Sequence, residues 1–285
     1  MRFVTYQNDG GPRLGVVQGD SVLPLPGLDM LRIIEAGPAG FDPVWTAGGQ
    51  ALKLADLHLL APIPTPRRNI FCVGLNYFKH GVEGAEARGA KFVAPERPVF
   101  FTKATMAVNG PYGEIPVDDK VSTEIDWEAE LAFVIGRTGK NIPAAKAMDY
   151  VFGYTVVNDV SARDVQTGHG GQFFKGKSLD GACPMGPWIV TADEVPDPDN
   201  LGIHCRVNGV TKQDSNTNEF IFKIPQLIEW LSKGMTLLPG DVVATGTPSG
   251  VGFARTPPEF LVPGDVVTCE VEGIGLLRNH IVRGA

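Results

Sequence analysis

Cysteine is scarce in this chain. Cys72, Cys183, Cys205 and Cys269 are spread along 285 residues, with no Cys-x-x-Cys pair and without the density of a disulfide-stapled scaffold. The spacing offers no thiolate metal site and predicts a reduced, cytoplasmic setting. Long apolar runs are missing too: nothing approaches the roughly 18 residues that cross a bilayer. Met1-Arg2-Phe3-Val4 leads straight into mixed polar sequence, which predicts no export signal and no membrane partner. Clustered positive charge is the third absence. Twenty-five Lys and Arg stand against 32 Asp and Glu, a formal charge of −7, and the basic residues are dispersed. Neutralising a phosphate backbone needs clustered Lys and Arg, so nucleic acid is excluded as a partner. A small anion would be met by a few placed groups and a cation.

Turn residues, by contrast, are plentiful. Gly at 35 and Pro at 23 punctuate short Val- and Ile-rich runs: 131–135, 154–157, 188–191, 242–245 and 266–271. That pattern predicts a mainly β fold, α+β only in a minor way. Two segments carry helical spacing. Ile224, Leu227, Ile228 and Leu231 fall at i, i+3, i+4 and i+7 around Pro225, with Gly234 placed as a stop; Met30 to Ala36 is a shorter candidate. Ala61-Pro62-Ile63-Pro64-Thr65-Pro66 fixes three φ angles and predicts a stiff connector. It would separate a small N-terminal domain, 1–65, from a main body, 66–285. Pro-Gly-Asp-Val-Val occurs at 239–243 and again at 263–267; because the flanks differ, it predicts two similar turn-to-strand entries rather than a duplicated domain.

In Asp126-Trp127-Glu128-Ala129-Glu130-Leu131-Ala132-Phe133-Val134-Ile135, an extended backbone puts Glu128 and Glu130 on one face. Two neighbouring buried carboxylates resist desolvation and repel each other, so they need a shared proton or a cation. Asp159 ends another apolar run, Gly153 to Asn158. Three carboxylates leave about half of an octahedral Mg²⁺ or Mn²⁺ shell open, as in a catalytic site. A solvated edge strand is the competing reading of Glu-x-Glu.

Several segments agree on one family. Gly74-Leu75-Asn76-Tyr77 with His80, the stretch 126–132, Asn158-Asp159-Val160-Ser161-Ala162-Arg163-Asp164, Gly176-Lys177-Ser178 through Cys183-Pro184, and Pro239-Gly240-Asp241 through Gly252 together resemble the fumarylacetoacetate hydrolase family, especially its short acylpyruvate-hydrolase-type members. The resemblance runs over about residues 67–283. It implies a rolled β-sandwich catalytic domain behind a small N-terminal domain, a homodimer, and Mg²⁺ or Mn²⁺ held by Glu128, Glu130 and Asp159 to chelate a small anionic 2-oxo acid.

His80 and Glu83 share one face of a helical turn, where the carboxylate can orient the imidazole; the resemblance implies a lid on which they activate water. Glycines at 81, 84 and 89 weaken a helix there by about 1 kcal/mol each, which predicts that residues 78–95 are mobile until substrate orders them. The resemblance also implies oxyanion stabilisation by Lys177 with Arg163 and Gln166, and a substrate contact at Thr247. Asp164 or Asp180 are alternative structural partners for the two cations. The Gly-rich stretch 245–252 lacks the Gly-Lys-Ser/Thr ending of a phosphate-binding loop. His58, His169, His204 and His280 have no metal-ligand spacing. The leading expectation is hydrolytic C–C cleavage of an acylpyruvate or other 2,4-dioxo acid. The alternative keeps the site and makes the reaction an isomerisation, tautomerisation, decarboxylation or lyase step; an idle metal-binding scaffold is the third reading.

Overall fold

The computed structural model describes residues 1–37 and 49–284. The chain opens with β1 (Arg2–Asn8), β2 (Gly11–Gln18), β3 (Ser21–Pro24), α1 (Met30–Ala36) and β4 (Leu52–Lys53). Next come β5 (Ile70–Gly74), α2 (Phe78–Glu86), β6 (Val99–Lys103), β7 (Val108–Asn109), β8 (Ile115–Val117) and β9 (Ile125–Asp126). The centre holds β10 (Ala129–Ile135), β11 (Val151–Asn158), β12 (Ser161–Ala162), α3 (Arg163–Gly168), α4 (Phe174–Lys177) and β13 (Cys183–Thr191). Finally β14 (Gly202–Val207), β15 (Val210–Asn216), α5 (Ile224–Ser232), β16 (Val242–Ala244), β17 (Val266–Val271) and β18 (Gly275–Arg283) complete the fold.

One large sheet runs in the order β4-β3-β2-β1-β13-β11-β10-β16-β5-β6, with β7 joined to β13. A second sheet, β15-β14-β17-β18-β8, packs against it. The mainly β architecture predicted from the turn-rich sequence is what the chain forms. β10 shows why: every one of its residues is buried, because both faces are covered. Leu131, Phe133 and Ile135 share a core with Ile203, Cys205, Val267 and Leu277 of the second sheet. Ala132 and Val134 point the other way, into a core with Ile33 and Ile34 of α1, Phe152 and Ile189. A central strand covered on both sides reads as a continuous apolar run. By contrast β14 alternates buried and half-buried residues, as a strand with one covered face does.

Both predicted helices form. α1 is capped by Asp29, whose Oδ1 accepts from Arg32 N at 2.8 Å, and α5 buries Ile224, Leu227, Ile228 and Leu231. The repeated pentapeptide enters β16 of one sheet and β17 of the other, each time through a glycine with positive φ, Gly240 at 88° and Gly264 at 102°. That is two similar turns, not a repeat.

Candidate metal centre and its pocket

β10 and β11 pair antiparallel with Ala129 opposite Asn158 and Glu130 opposite Val157. The ladder continues one step past the strands, where Asp159 N donates to Glu128 O at 2.9 Å. This register carries Glu128 and Glu130 out on one face of β10 and sets Asp159 beside them. One ligand oxygen from each lies within 4.8 Å of the others, and the residues are only 5%, 1% and 0% exposed. An edge strand open to solvent is thereby ruled out.

Positive groups surround the trio. Lys177 Nζ donates to Glu128 Oε2 and Asp159 Oδ2, both at 2.8 Å, and Lys103 Nζ donates to Asp159 Oδ1 at 2.6 Å. Arg163 Nε donates to Asp126 Oδ2 at 2.8 Å, and its Nη2 makes an ion contact with Glu128 Oε1 at 2.6 Å. Arg163 and Lys177 thus pair with Asp126, Glu128 and Asp159 rather than with Asp164 or Asp180; Asp164 instead holds Ser122. Burial alone would raise the Glu128 pKa, but Lys177 and Arg163 outweigh it and hold the carboxyl down at about 2. Burial would likewise depress Lys177, yet Asp159 and Glu128 raise it overall, so it stays an ammonium donor.

Glu130 is the exception. It accepts from Gly246 N at 2.7 Å and, among the described residues, pairs with no basic side chain. Burial, reinforced by Asp159 and Glu128, pushes its pKa well above the ordinary carboxylate range. A divalent cation among three buried oxygens would relieve that frustration, and hard carboxylate donors suit Mg²⁺ or Mn²⁺. The residues present therefore fit such an ion.

Beside the trio lies a pocket of about 590 Å³ lined by His80, Arg88, Glu128, Arg163, Gln166, Lys177, Thr247 and several apolar side chains. Six of the nine residues singled out from the sequence meet here: His80, Glu128, Arg163, Gln166, Lys177 and Thr247. Glu130 and Asp159 complete the carboxylate trio, and Glu83 stands behind His80, accepting at 2.9 Å from the imidazole Nδ1 edge. The other Glu83 oxygen accepts from Gly250 N at 2.8 Å, which ties α2 to the Gly-rich turn. α2 is a helix in which His80, Gly81 and Gly84 are buried. Its glycines allow close approach: a side chain at Gly81 would strike the Phe92 ring, and one at Gly84 would touch Phe253 at 3.4 Å. Thr247 lines the pocket, but its hydroxyl already donates to Ala129 O at 2.9 Å and accepts from Gln213 at 2.8 Å. Gln166 accepts from Arg163 Nη1 at 3.1 Å.

Three residues escaped the sequence reading. Lys103 is fully buried; its signal was a lysine ending the apolar run Val99-Phe100-Phe101-Thr102. Asp126 opens the Glu-x-Glu segment, and besides Arg163 it receives the amides of Trp127, Gly252 and Phe253. Arg88, four residues beyond Gly84 and eight beyond His80, had no distinguishing pattern.

A β-sandwich with a buried carboxylate trio able to hold a divalent ion, beside a pocket of acid, base and cation side chains, defines the class of the fold and its site. The model of the fumarylacetoacetate (FAA) hydrolase C-terminal domain matches residues 69–282, and that of the Rv2993c-like N-terminal domain matches residues 1–62. The chain belongs to the fumarylacetoacetate hydrolase family. It is 44% identical to the mitochondrial oxaloacetate tautomerase fahd2 of Xenopus laevis over 296 residues, covering 99% of this chain and 90% of the relative. Against the oxaloacetate tautomerase YisK of Bacillus subtilis it is 47% identical over 234 residues, 82% and 76% of the two chains. The solved fumarylacetoacetate hydrolase of Exiguobacterium antarcticum superposes with a TM-score of 0.87 at 38% identity, covering 100% of both chains.

These likenesses correct the functional expectation. Hydrolysis of an acylpyruvate C–C bond, and membership of the acylpyruvate-hydrolase type, give way to a likeness to tautomerases over the whole chain. The physical reason is that both chemistries use the same enolate-stabilising trio and cations, so the motifs that carry the resemblance do not separate them.

Proposed function

We propose that the protein is a divalent-metal-dependent tautomerase that interconverts the enol and keto forms of a 2-oxo acid, with oxaloacetate as substrate. The observation that carries this reading is identity of 44% and 47% to two oxaloacetate tautomerases, supported by a pocket in which the carboxylate trio adjoins His80 and Lys177. Glu128, Glu130 and Asp159 would hold Mg²⁺ or Mn²⁺, which when bound supplies Lewis-acid polarisation of the substrate's C2 oxygen.

The remaining work falls to side chains. Conversion of enol to keto form breaks the O–H bond at C2 and forms a C–H bond at C3, with no net change of water or electrons. Lys177, charged and buried, donates toward the oxygen on which negative charge develops, where a preorganised donor counts most. Arg163, fixed by Asp126, adds a second positive group. An imidazole can give or take a proton near neutral pH; Glu83 fixes the His80 ring through Nδ1 and leaves Nε2 to exchange the proton at C3. Gln166 and Thr247 shape the wall on which the acid rests. The same reading carries a homodimer, a cytoplasmic location, and division of the chain into 1–65 and 66–285.

The test is decay of the enol's ultraviolet absorbance when freshly dissolved oxaloacetate meets purified protein with Mg²⁺. We expect acceleration over buffer with Mg²⁺ alone, abolished by chelator and lowered about 10²-fold or more by His80→Ala. No acceleration by the wild-type protein would end the proposal.

A further inference from the structure

We infer that Arg88 is the specificity-determining residue for a doubly charged substrate, its guanidinium receiving the carboxylate farthest from the metal trio. The inference rests on the tautomerase reading and deepens it.

Arg88 follows α2 and lines the same pocket as Glu128, Arg163 and Lys177. Its guanidinium carbon lies 5.0 Å from the centre of the Phe253 ring, whose other guanidinium neighbour, Arg163, is at 4.6 Å. Contact of each guanidinium with this one ring places Arg88 and Arg163 near each other in the pocket. Arg88 Nη1 donates to Gly84 O at 3.3 Å, and among the described residues no carboxylate pairs with it. Arg88 is itself exposed to solvent; partial desolvation by its neighbours first, and then repulsion from Arg163, lower its pKa. The other Lys and Arg side chains lining the pocket are already committed: Arg163 and Lys177 each hold a buried carboxylate, as does Lys103 beside the trio.

Charge counting assigns Arg88 its partner. Four buried carboxylates, Asp126, Glu128, Glu130 and Asp159, meet three buried cations, Lys103, Arg163 and Lys177, an excess of one negative charge. With a divalent ion the cluster turns singly positive, so a monoanionic 2-oxo acid would neutralise it without help. A dianion leaves one negative charge over, and Arg88 is the unpaired cation placed to take it. Guanidinium forks suit carboxylates geometrically as well as electrostatically.

Two matched pairs of compounds test this on the intact, Mg²⁺-loaded protein. Malate and lactate differ by the distal carboxylate and are chemically stable, so calorimetry can measure their binding. Oxaloacetate and its 4-methyl ester differ by the same charge and can both be followed as enols. The wild-type protein should prefer malate to lactate by about tenfold or more, the size of one charge-assisted hydrogen bond. Arg88→Gln should erase that preference, Arg88→Lys should restore part of it, and the rise in KM should appear with oxaloacetate but not with the ester. Equal binding of malate and lactate by the wild-type protein, or an undiminished preference in Arg88→Gln, overturns the assignment. Preference that depends on Arg88 without any enol turnover would uphold the clamp and refute the tautomerase reading, so the two fail separately.

Discussion

Glu130 is the residue on which the site turns, because among the described residues it is the buried acid that pairs with no basic side chain. Its pKa is raised by burial and by Asp159 and Glu128, and the sign of the consequence can be worked out. An acid with a higher pKa folded than unfolded stabilises the fold fully below its unfolded value, and that contribution is lost as pH climbs toward the folded value. Glu128, held down at about 2 mainly by Lys177 and Arg163 against its burial, acts in the opposite sense: its contribution is present above the ordinary carboxylate range and fades as pH falls toward about 2. Metal-stripped protein should therefore lose melting temperature as pH rises above the ordinary carboxylate range toward the raised Glu130 pKa. Mg²⁺ should stabilise more at the alkaline end, because an already ionised ligand binds without displacing a proton. Differential scanning fluorimetry with and without Mg²⁺ reads this directly, and a flat profile in the stripped protein would count against the frustrated Glu130. That Glu128 and Glu130 share a face was legible because a strand's period of two is rigid; their joining with Asp159 as a buried metal trio needed the family resemblance as well. Lys103 and Arg88 were not legible, since nothing in a local pattern tells which lysine a sheet will bury or which exposed arginine beyond a helix end will line a pocket.

Helices α3 and α4 show how an element, rather than a single group, sets the geometry. Arg163 and Gln166 lie on α3, Lys177 on α4, and Gly176 is where the two touch. A Cβ at Gly176 would come within 2.5 Å of Gln166 N and 2.7 Å of Ala162 O, both backbone atoms that cannot swing aside. Gly176→Ala must push α3 from α4, spreading Lys177 away from Arg163. Overpacking of this kind costs about 1–3 kcal/mol, seen as a lower denaturation midpoint, and turnover should fall even where the variant is fully folded. An unchanged midpoint and rate would show the helices to be less tightly set than their contact implies. Long, strongly patterned elements were readable in advance: β10 by its apolar run, α1 and α5 by their spacing. α3 and α4, six and four residues long, carry too little periodicity to declare themselves, and they exist because tertiary packing holds them there. The glycines of α2 were read as weakness in a helix; the structure gives Gly81 a steric reason, since the Phe92 ring occupies the space a side chain would need.

At the scale of the whole molecule, the N-terminal strands bear on the stability of the site without touching it. β1 pairs with β13 through Arg2 with Val190 and Phe3 with Ile189, and β13 in turn pairs with β11, which carries the approach to Asp159. Phe3, Leu14, Val16, Ile33 and Ile34 share one core with Ala132, Val134, Phe152 and Val242 of the central sheet. Removing residues 1–65 would therefore strip a hydrogen-bonding partner from β13 and uncover the apolar face behind β10. A bare, long, apolar strand edge is an invitation to pair with another chain. We expect the fragment 66–285 to aggregate or to melt well below the intact protein, and the intact protein to unfold in one cooperative transition despite its two matched segments. Calorimetry of the full chain, set beside the solubility of the fragment, decides the matter. Two resolved transitions, or a soluble fragment that still binds Mg²⁺ as the intact chain does, would mean that the shared core is dispensable to the metal centre.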